Sequence, residues 1–192
     1  MQIILGSSSP FRRKLLEKFK IDFKFASPDI DETAYAGEDA SNLVSRLSLA
    51  KAQKIGKAYE NSLIIGSDQV ATIAGKILGK SHNFSNAFAQ LKESSGKVVK
   101  FYTGLCLLNS KTQKYQLEVV PFKVHFRKLT DQEIKGYIKR EQPFNCAGSF
   151  QAEGLGVALF TRLEGDDPST LVGLPLMRLN HMLQKEGINI LI

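Results

Sequence analysis

Two cysteines, three histidines and no apolar run of membrane-spanning length mark the 192-residue chain, and each shortage excludes something. Cys106 and Cys146 lie far apart with no CxxC spacing, which favours reduced thiols in a cytoplasmic protein. His82, His125 and His181 are isolated, so HExxH zinc chemistry is excluded and a histidine-rich metal site is not expected. There is no GxSxG elbow for a serine hydrolase. The stretch GLGVAL, residues 154–159, lacks the third glycine and the βαβ setting of a dinucleotide fingerprint. The first residues carry no basic flank, long apolar stretch and small-residue cleavage site, so they do not read as a signal peptide. No apolar run approaches the roughly 20 residues of a transmembrane helix, so no membrane partner is expected. Repeats, low-complexity tracts and linkers are also missing, and one domain over residues 1–192 is the expectation.

What is present is ordinary in bulk and basic in balance. A hydrophobic fraction of 43% and a charged fraction of 23% are globular values. A chain of this length buries a real core, in one body or in two lobes sharing a sheet. The formal net charge of +7 points to an anionic partner, nucleic acid or phosphorylated small molecules. Lysines and arginines are dispersed and aromatics do not interleave with them, which disfavours nucleic acid.

Strand-like runs fall at residues 3–5, 23–26, 63–66, 70–73, 98–109, 116–126 and 156–162. Between them lie helical segments. SNLVSRLSLAKAQKIGKAY (41–59) puts Leu43, Leu47, Ala50, Lys54 and Ala58 near one face, with Lys51 beside it. NAFAQLKESSG stops at Gly96, TDQEIKGYIKR opens with a Thr130–Glu133 capping box, and a last helix runs from Pro175 to Gly187. Mixed strands and helices throughout predict an α/β (mixed α+β) fold.

Four stretches could carry chemistry. In GSSSPFRRKLLEKF (6–19), Ser9 is placed to N-cap a helix starting at Pro10, while Ser7, Ser8, Arg12 and Arg13 remain unexplained. Hydroxyls, free amides at a helix start and two guanidinium groups suit a phosphate chain, although a solvated first turn explains them equally well. PDIDET holds Asp29, Asp31 and Glu32 in a loop, and LIIGSDQV places Asp68 just past an apolar strand. Such carboxylates, set against basic residues around phosphates, would hold a divalent metal, yet turns also favour Asp on backbone grounds. AGKILGKS (74–81) satisfies a loose Walker A pattern, but Ile77 and Leu78 read as a strand returning from a turn at Ala74-Gly75. A hairpin with Lys80 at its end is therefore expected, and a P-loop NTPase is the alternative. GSFQAEGLG (148–156) is a glycine-bounded loop carrying Gln151 and Glu153.

Taken in order, SSSPFRR, DIDE, KA, GSDQV, GK, SG before a strand ending YTG, AGSFQAEGLG and LVGLPL resemble the Maf family of nucleotide pyrophosphatases. The likeness runs from residue 3 to about residue 186. It implies a twisted mixed sheet with flanking helices, as in Maf and ITPase proteins, in two lobes around a central cleft. The implied reaction takes a nucleoside triphosphate to the monophosphate and pyrophosphate, with Mg²⁺ or Mn²⁺, in the cytoplasm; a homodimer is implied by the resemblance alone. Ser7, Arg12 and Arg13 match the family's phosphate-binding positions. Glu32, Lys51, Asp68 and Lys80 match its catalytic positions, with Asp68 as proton acceptor and Glu32 and Asp68 as the metal carboxylates. A non-catalytic nucleotide or nucleic-acid binder is a further alternative.

Three positions bear on the base: Phe11, Gln69 and Glu153. Branches acting on uracil or thymine nucleotides usually carry Arg, Thr and Gln there, and this chain resembles the 7-methyl-GTP branch instead. A carboxylate at Glu153 can accept from guanine N1–H and the 2-amino group together, whereas uracil would turn carbonyl oxygens toward it. Phe11 stands where that branch has Trp, and Ser81 where it has Pro.

Overall fold

The computed structural model describes all 192 residues. In chain order its elements are β1 (Gln2–Gly6), α1 (Pro10–Leu16), β2 (Phe23–Ala26), α2 (Ala40–Gly56), β3 (Ser62–Ile73), β4 (Lys76–Leu78), α3 (Phe84–Ser94), β5 (Val98–Asn109), β6 (Tyr115–Phe126), α4 (Asp131–Glu141), β7 (Phe160–Glu164) and α5 (Leu176–Lys185). Short 3₁₀ turns cover Glu17–Phe19, Leu155–Leu159 and Pro168–Val172. The strands pair in the order β2-β1-β3-β5-β6-β7, with β4 added to β3. β1 runs parallel to β2 and β3, while β4 and β7 pair antiparallel, so the sheet is mixed as expected. The chain divides into two compact units: residues 1–68, 103–120 and 167–192, and residues 69–102 and 121–166.

In the first unit, β1 and the first half of β3 are apolar on both faces because both faces are covered. Ile3, Leu5, Leu63 and Ile65 pack with Leu15 and Leu16 of α1 and with Leu179, Met182 and Leu183 of α5. The alternate residues Ile4 and Ile64 pack on Ala52 and Ile55 of α2. Each fully buried aliphatic side chain contributes roughly 1.5–3 kcal/mol. Helix α2 comes unusually close to the sheet. A Cβ at Gly66 would stand 2.2 Å from the Ser48 carbonyl, so only glycine admits the helix there. Lys51 lies three residues after Ser48 on the helix, and Asp68 two residues after Gly66 on the strand. The same close approach therefore brings those two side chains together.

In the second unit, Phe101, Phe126, Phe150 and Phe160 meet edge-to-face with centroids 4.9–5.4 Å apart. Such pairs add about 0.5–1.5 kcal/mol beyond area burial. The Thr130–Glu133 capping box starts α4 as expected.

Three expectations need correction. Residues 63–73 are one strand and not two, so Asp68 stands inside β3 and not past its end. Residues 155–159 are a 3₁₀ turn, and the last strand begins only at Phe160. On α2 the buried face is Leu43, Val44, Leu47, Ser48, Lys51, Ala52 and Ile55, so Lys51 is inside while Lys54 and Ala58 are exposed. The reason is the closeness of packing at Ser48, which draws in a polar side of the helix.

Candidate active site

The first unit gathers three charged side chains that are distant in sequence. Lys51 Nζ donates to Asp68 Oδ1 at 2.6 Å and lies 2.7 Å from Glu32 Oε1. Lys51 and Asp68 are only 5% and 7% exposed, whereas the Glu32 side chain is about half exposed (53%). One buried ammonium thus joins a buried carboxylate to one that faces water. Asp68 stands in β3 between the end of its pairing with β1 at Gly66 and the start of its pairing with β4 at Ala71, and Glu32 enters from a loop, residues 27–39, without regular structure.

Beside this trio stands a second arrangement, built at the start of α1. Ser9 caps the helix through the Arg12 amide, and Pro10 sets its first turn, as its sequence predicts. Arg12 Nε donates to the Gly173 carbonyl at 2.7 Å and Nη1 approaches Ser7 Oγ at 3.4 Å. Burial pushes the Arg12 guanidinium below its ordinary value, and the fields of Asp68 and Glu32 oppose that shift. The same fields link the arginine electrostatically to the trio. Ser67 Oγ lies within hydrogen-bonding distance of the Gly173 carbonyl, at 2.9 Å, and of the Gly104 carbonyl, at 2.8 Å. Gly173 itself has φ +101, and a Cβ there would come within 3.2 Å of Arg12 Nε.

The two adjacent arginines part company. The Arg13 guanidinium stacks 3.4 Å above the Phe25 ring, and its buried Nε has no hydrogen-bond partner. Phe11 is 39% exposed and so is not a core residue of its helix.

The remaining three predicted positions belong to the second unit. Gln69 is half-buried, while Lys80 and Glu153 are exposed. Residues 74–81 form the expected hairpin: Ala74 and Gly75 turn the chain with φ +46 and +84, and β4 returns along β3. Helix α3 begins only at Phe84, capped by Asn83, so no phosphate-binding loop leads into a helix from Lys80. The P-loop alternative is overturned by that geometry. Lys80 bridges Ala147 through its backbone, and the Cys146 thiol feels both its charge and that of Glu153. That thiol is pushed up chiefly by burial, then by Glu153, with Gln151 and Lys80 pulling the other way.

Sequence reasoning missed Ser67 and Gly173. Both sit in quoted fragments, GSDQV and LVGLPL, but a hydrogen bond between residues 161 positions apart, as from Arg12 to Gly173, leaves no local trace. A glycine closing a proline-initiated turn was the available signal at Gly173.

Comparison of the sequence with known proteins points to one family. The sequence pattern described as "Maf-like protein" matches residues 2–186. The chain is 51% identical over 189 residues to the 7-methyl-GTP pyrophosphatase of Colwellia psychrerythraea, covering 98% of this chain and 94% of that one. It is 54% identical over 188 residues to the 7-methyl-GTP pyrophosphatase of Pseudomonas aeruginosa, covering 98% of each. Among solved structures, the Staphylococcus aureus Ham1 protein aligns over 97% of this chain and 100% of its own, with TM-score 0.55 and 12% identity, a likeness of fold.

Proposed function

The chain belongs to the Maf family, and on that premise we infer that it hydrolyses a nucleoside triphosphate, 7-methyl-GTP before others, to the monophosphate and pyrophosphate. The observation that carries the reading is the buried Lys51 joined to Asp68 and Glu32 beside the Arg12–Ser7 arrangement. Two near-full-length relatives bearing that activity in their names support the substrate.

In this mechanism Asp68 is the general base. With Oδ1 accepting from Lys51, the proton of the attacking water goes to Oδ2, and the water oxygen adds to the α-phosphorus as the bond to pyrophosphate breaks. Lys51 keeps the carboxylate oriented. Arg12 and Ser7, with Arg13, bind phosphate oxygens, and Lys80 adds charge to the leaving group. Within the first unit Arg12 is held on the Gly173 carbonyl and Lys51 between two carboxylates, and cations fixed in this way need little reorganisation during reaction.

Glu32 and Asp68 would hold a divalent cation of the Mg²⁺ or Mn²⁺ type. The donor set fits: such ions take one or two protein carboxylates and complete their shell with substrate phosphates and water. No group of three or more His, Cys, Asp or Glu is gathered anywhere, so no all-protein cage competes with that mode. When bound, the ion supplies Lewis acidity and charge neutralisation toward phosphate oxygens.

Glu153 reads the base edge, with Gln69 beside the catalytic strand residue and Phe11 offering an exposed aromatic face. Stacking of the cationic 7-methylpurine on that face favours it over GTP by about 0.5–2 kcal/mol, roughly two- to thirty-fold. The same reading carries cytoplasmic action on modified nucleotides and a homodimer, checked by fractionation and light scattering. No helix is long and apolar enough to cross a membrane.

Product analysis tests the proposal. Purified protein is given 7-methyl-GTP, GTP, UTP, dTTP or CTP with Mg²⁺ or Mn²⁺, and pyrophosphate is separated from orthophosphate. Pyrophosphate chiefly from 7-methyl-GTP is expected. Pyrophosphate chiefly from another nucleotide would overturn the substrate, and orthophosphate, or binding without turnover, would overturn the reaction.

A further inference from the structure

Residues 27–39 carry Glu32 to the site, yet from Asp31 to Gly37 every residue of the segment is exposed and none lies in a helix or strand. Nothing in the apolar core anchors that stretch. Two side chains of α2 reach it: Lys51 at Glu32 itself and, for the rest of the loop, Arg46. Arg46 Nε and Nη2 each meet a different oxygen of Glu38 at 2.7 Å, a two-pronged pairing. Arg46 Nη2 also donates to the carbonyl of Thr33 at 3.0 Å, one residue from Glu32. Its guanidinium lies 3.9 Å from the centre of the Tyr35 ring. The loop closes on itself around this plug: the Tyr35 amide donates to Glu38 Oε2 at 3.0 Å, and the Thr33 amide to Asp31 Oδ1 at 2.9 Å.

We propose that Arg46 is a positioning residue for Glu32: it straps the loop to α2 so that the Glu32 carboxylate reaches Lys51, five residues further along the same helix. One rigid helix thereby supplies both ends of the contact, Arg46 at the loop and Lys51 at the carboxylate, separated by about 7.5 Å along its axis. Arg46 Nε and Nη2 are given to loop atoms and the ring of Tyr35 lies against the guanidinium, so these contacts are with the loop and Arg46 acts as a positioning residue. The pair is partly buried, with side chains 26% and 9% exposed, but it joins the loop to α2 outside the apolar core, so its loss falls first on the order of this segment. Lysine cannot substitute, because it lacks the planar fork and the stacking face.

The inference rests on Glu32 acting at the active site, and a double-mutant cycle separates the two claims. Arg46→Ala, Arg46→Lys, Glu38→Gln, Glu32→Ala and Glu32→Ala/Arg46→Ala are compared with wild type by kcat/KM for 7-methyl-GTP with Mg²⁺. Calorimetric binding of the α,β-methylene analogue of GTP and chymotryptic cleavage after Tyr35 give readouts that do not need turnover. Both Arg46 variants should lose about ten- to a hundred-fold in kcat/KM, the cost of misplacing a working group by an ångström or so, at unchanged melting temperature. Glu38→Gln should follow in the same direction, and cleavage after Tyr35 should accelerate in all three. The double variant should be no worse than Glu32→Ala alone. Wild-type kcat/KM in Arg46→Ala, or losses that multiply in the double variant, overturn the proposal. A fully active Glu32→Ala that still forms pyrophosphate removes the strap's purpose while leaving the pyrophosphatase reading intact; no pyrophosphate from wild type removes both.

Discussion

Replacing Lys51 by Met isolates the energetic cost of the buried trio from its chemistry. The substitution keeps the length of the side chain and removes the ammonium that contacts Asp68 at 2.6 Å. Breaking a buried pair from one side costs about 3–5 kcal/mol, because a charge is left without its partner. Glu32 is half exposed and rehydrates freely, so its contact adds little and the value falls near the lower end. A loss of ~3 kcal/mol corresponds to roughly 6–12 °C in melting temperature for a chain of this size. Lys51→Met/Asp68→Asn, which leaves no buried charge, should recover at least half of that loss, and Asp68→Asn alone should keep the fold. All three should show no turnover in the pyrophosphate assay, so stability and catalysis separate cleanly. Calorimetric melting at pH 7 decides the matter. A Lys51→Met protein melting within 2 °C of wild type, or a double variant less stable than the single one, would refute the reasoning.

Gly173→Ala places a side chain at φ +101 and within 3.2 Å of Arg12 Nε, so it should cost at least about 1 kcal/mol and raise KM for the triphosphate as Arg12 is displaced; unchanged KM would free Arg12 of that dependence. Glu153→Gln should weaken 7-methyl-GTP and improve UTP, and an unchanged rank order would show that Glu153 does not read the base. Arg46 holds the Glu38 carboxyl at about 2, below its ordinary 4.5. A depressed carboxyl stabilises above its unfolded value, so the loop contact should be intact at pH 5 and released only as pH falls through the window from about 4.5 toward 2. Carboxyl titration by NMR measures this directly, and in Arg46→Ala the midpoint should return toward the ordinary value.

Local features were legible in the residues. Ser9-Pro10 capping, the Ala74-Gly75 turn, the Thr130–Glu133 box and the strands at 98–109 and 116–126 each depend on neighbours a few positions away. The misreading at Gly66-Ser67-Asp68 has the opposite cause. Small and polar residues there looked like the end of a strand, but Gly66 is required by the approach of α2, and Ser67 is paired with backbone carbonyls of Gly104 and Gly173. Lys51 was misplaced for the same reason, since a polar residue is drawn inside only when a partner such as Asp68 waits there.

The sequence alone therefore determined the mixed α/β class, the family and the identity of the charged residues, because order along the chain preserves motifs and short-range hydrogen bonding. Only the tertiary structure decided that Arg12 turns to Gly173 while Arg13 stacks on Phe25, that one buried ammonium joins Glu32 to Asp68, and that Arg46 straps the loop. Those contacts join residues from 12 to 161 positions apart. Their strength comes from desolvation and geometry that exist only once the chain is packed.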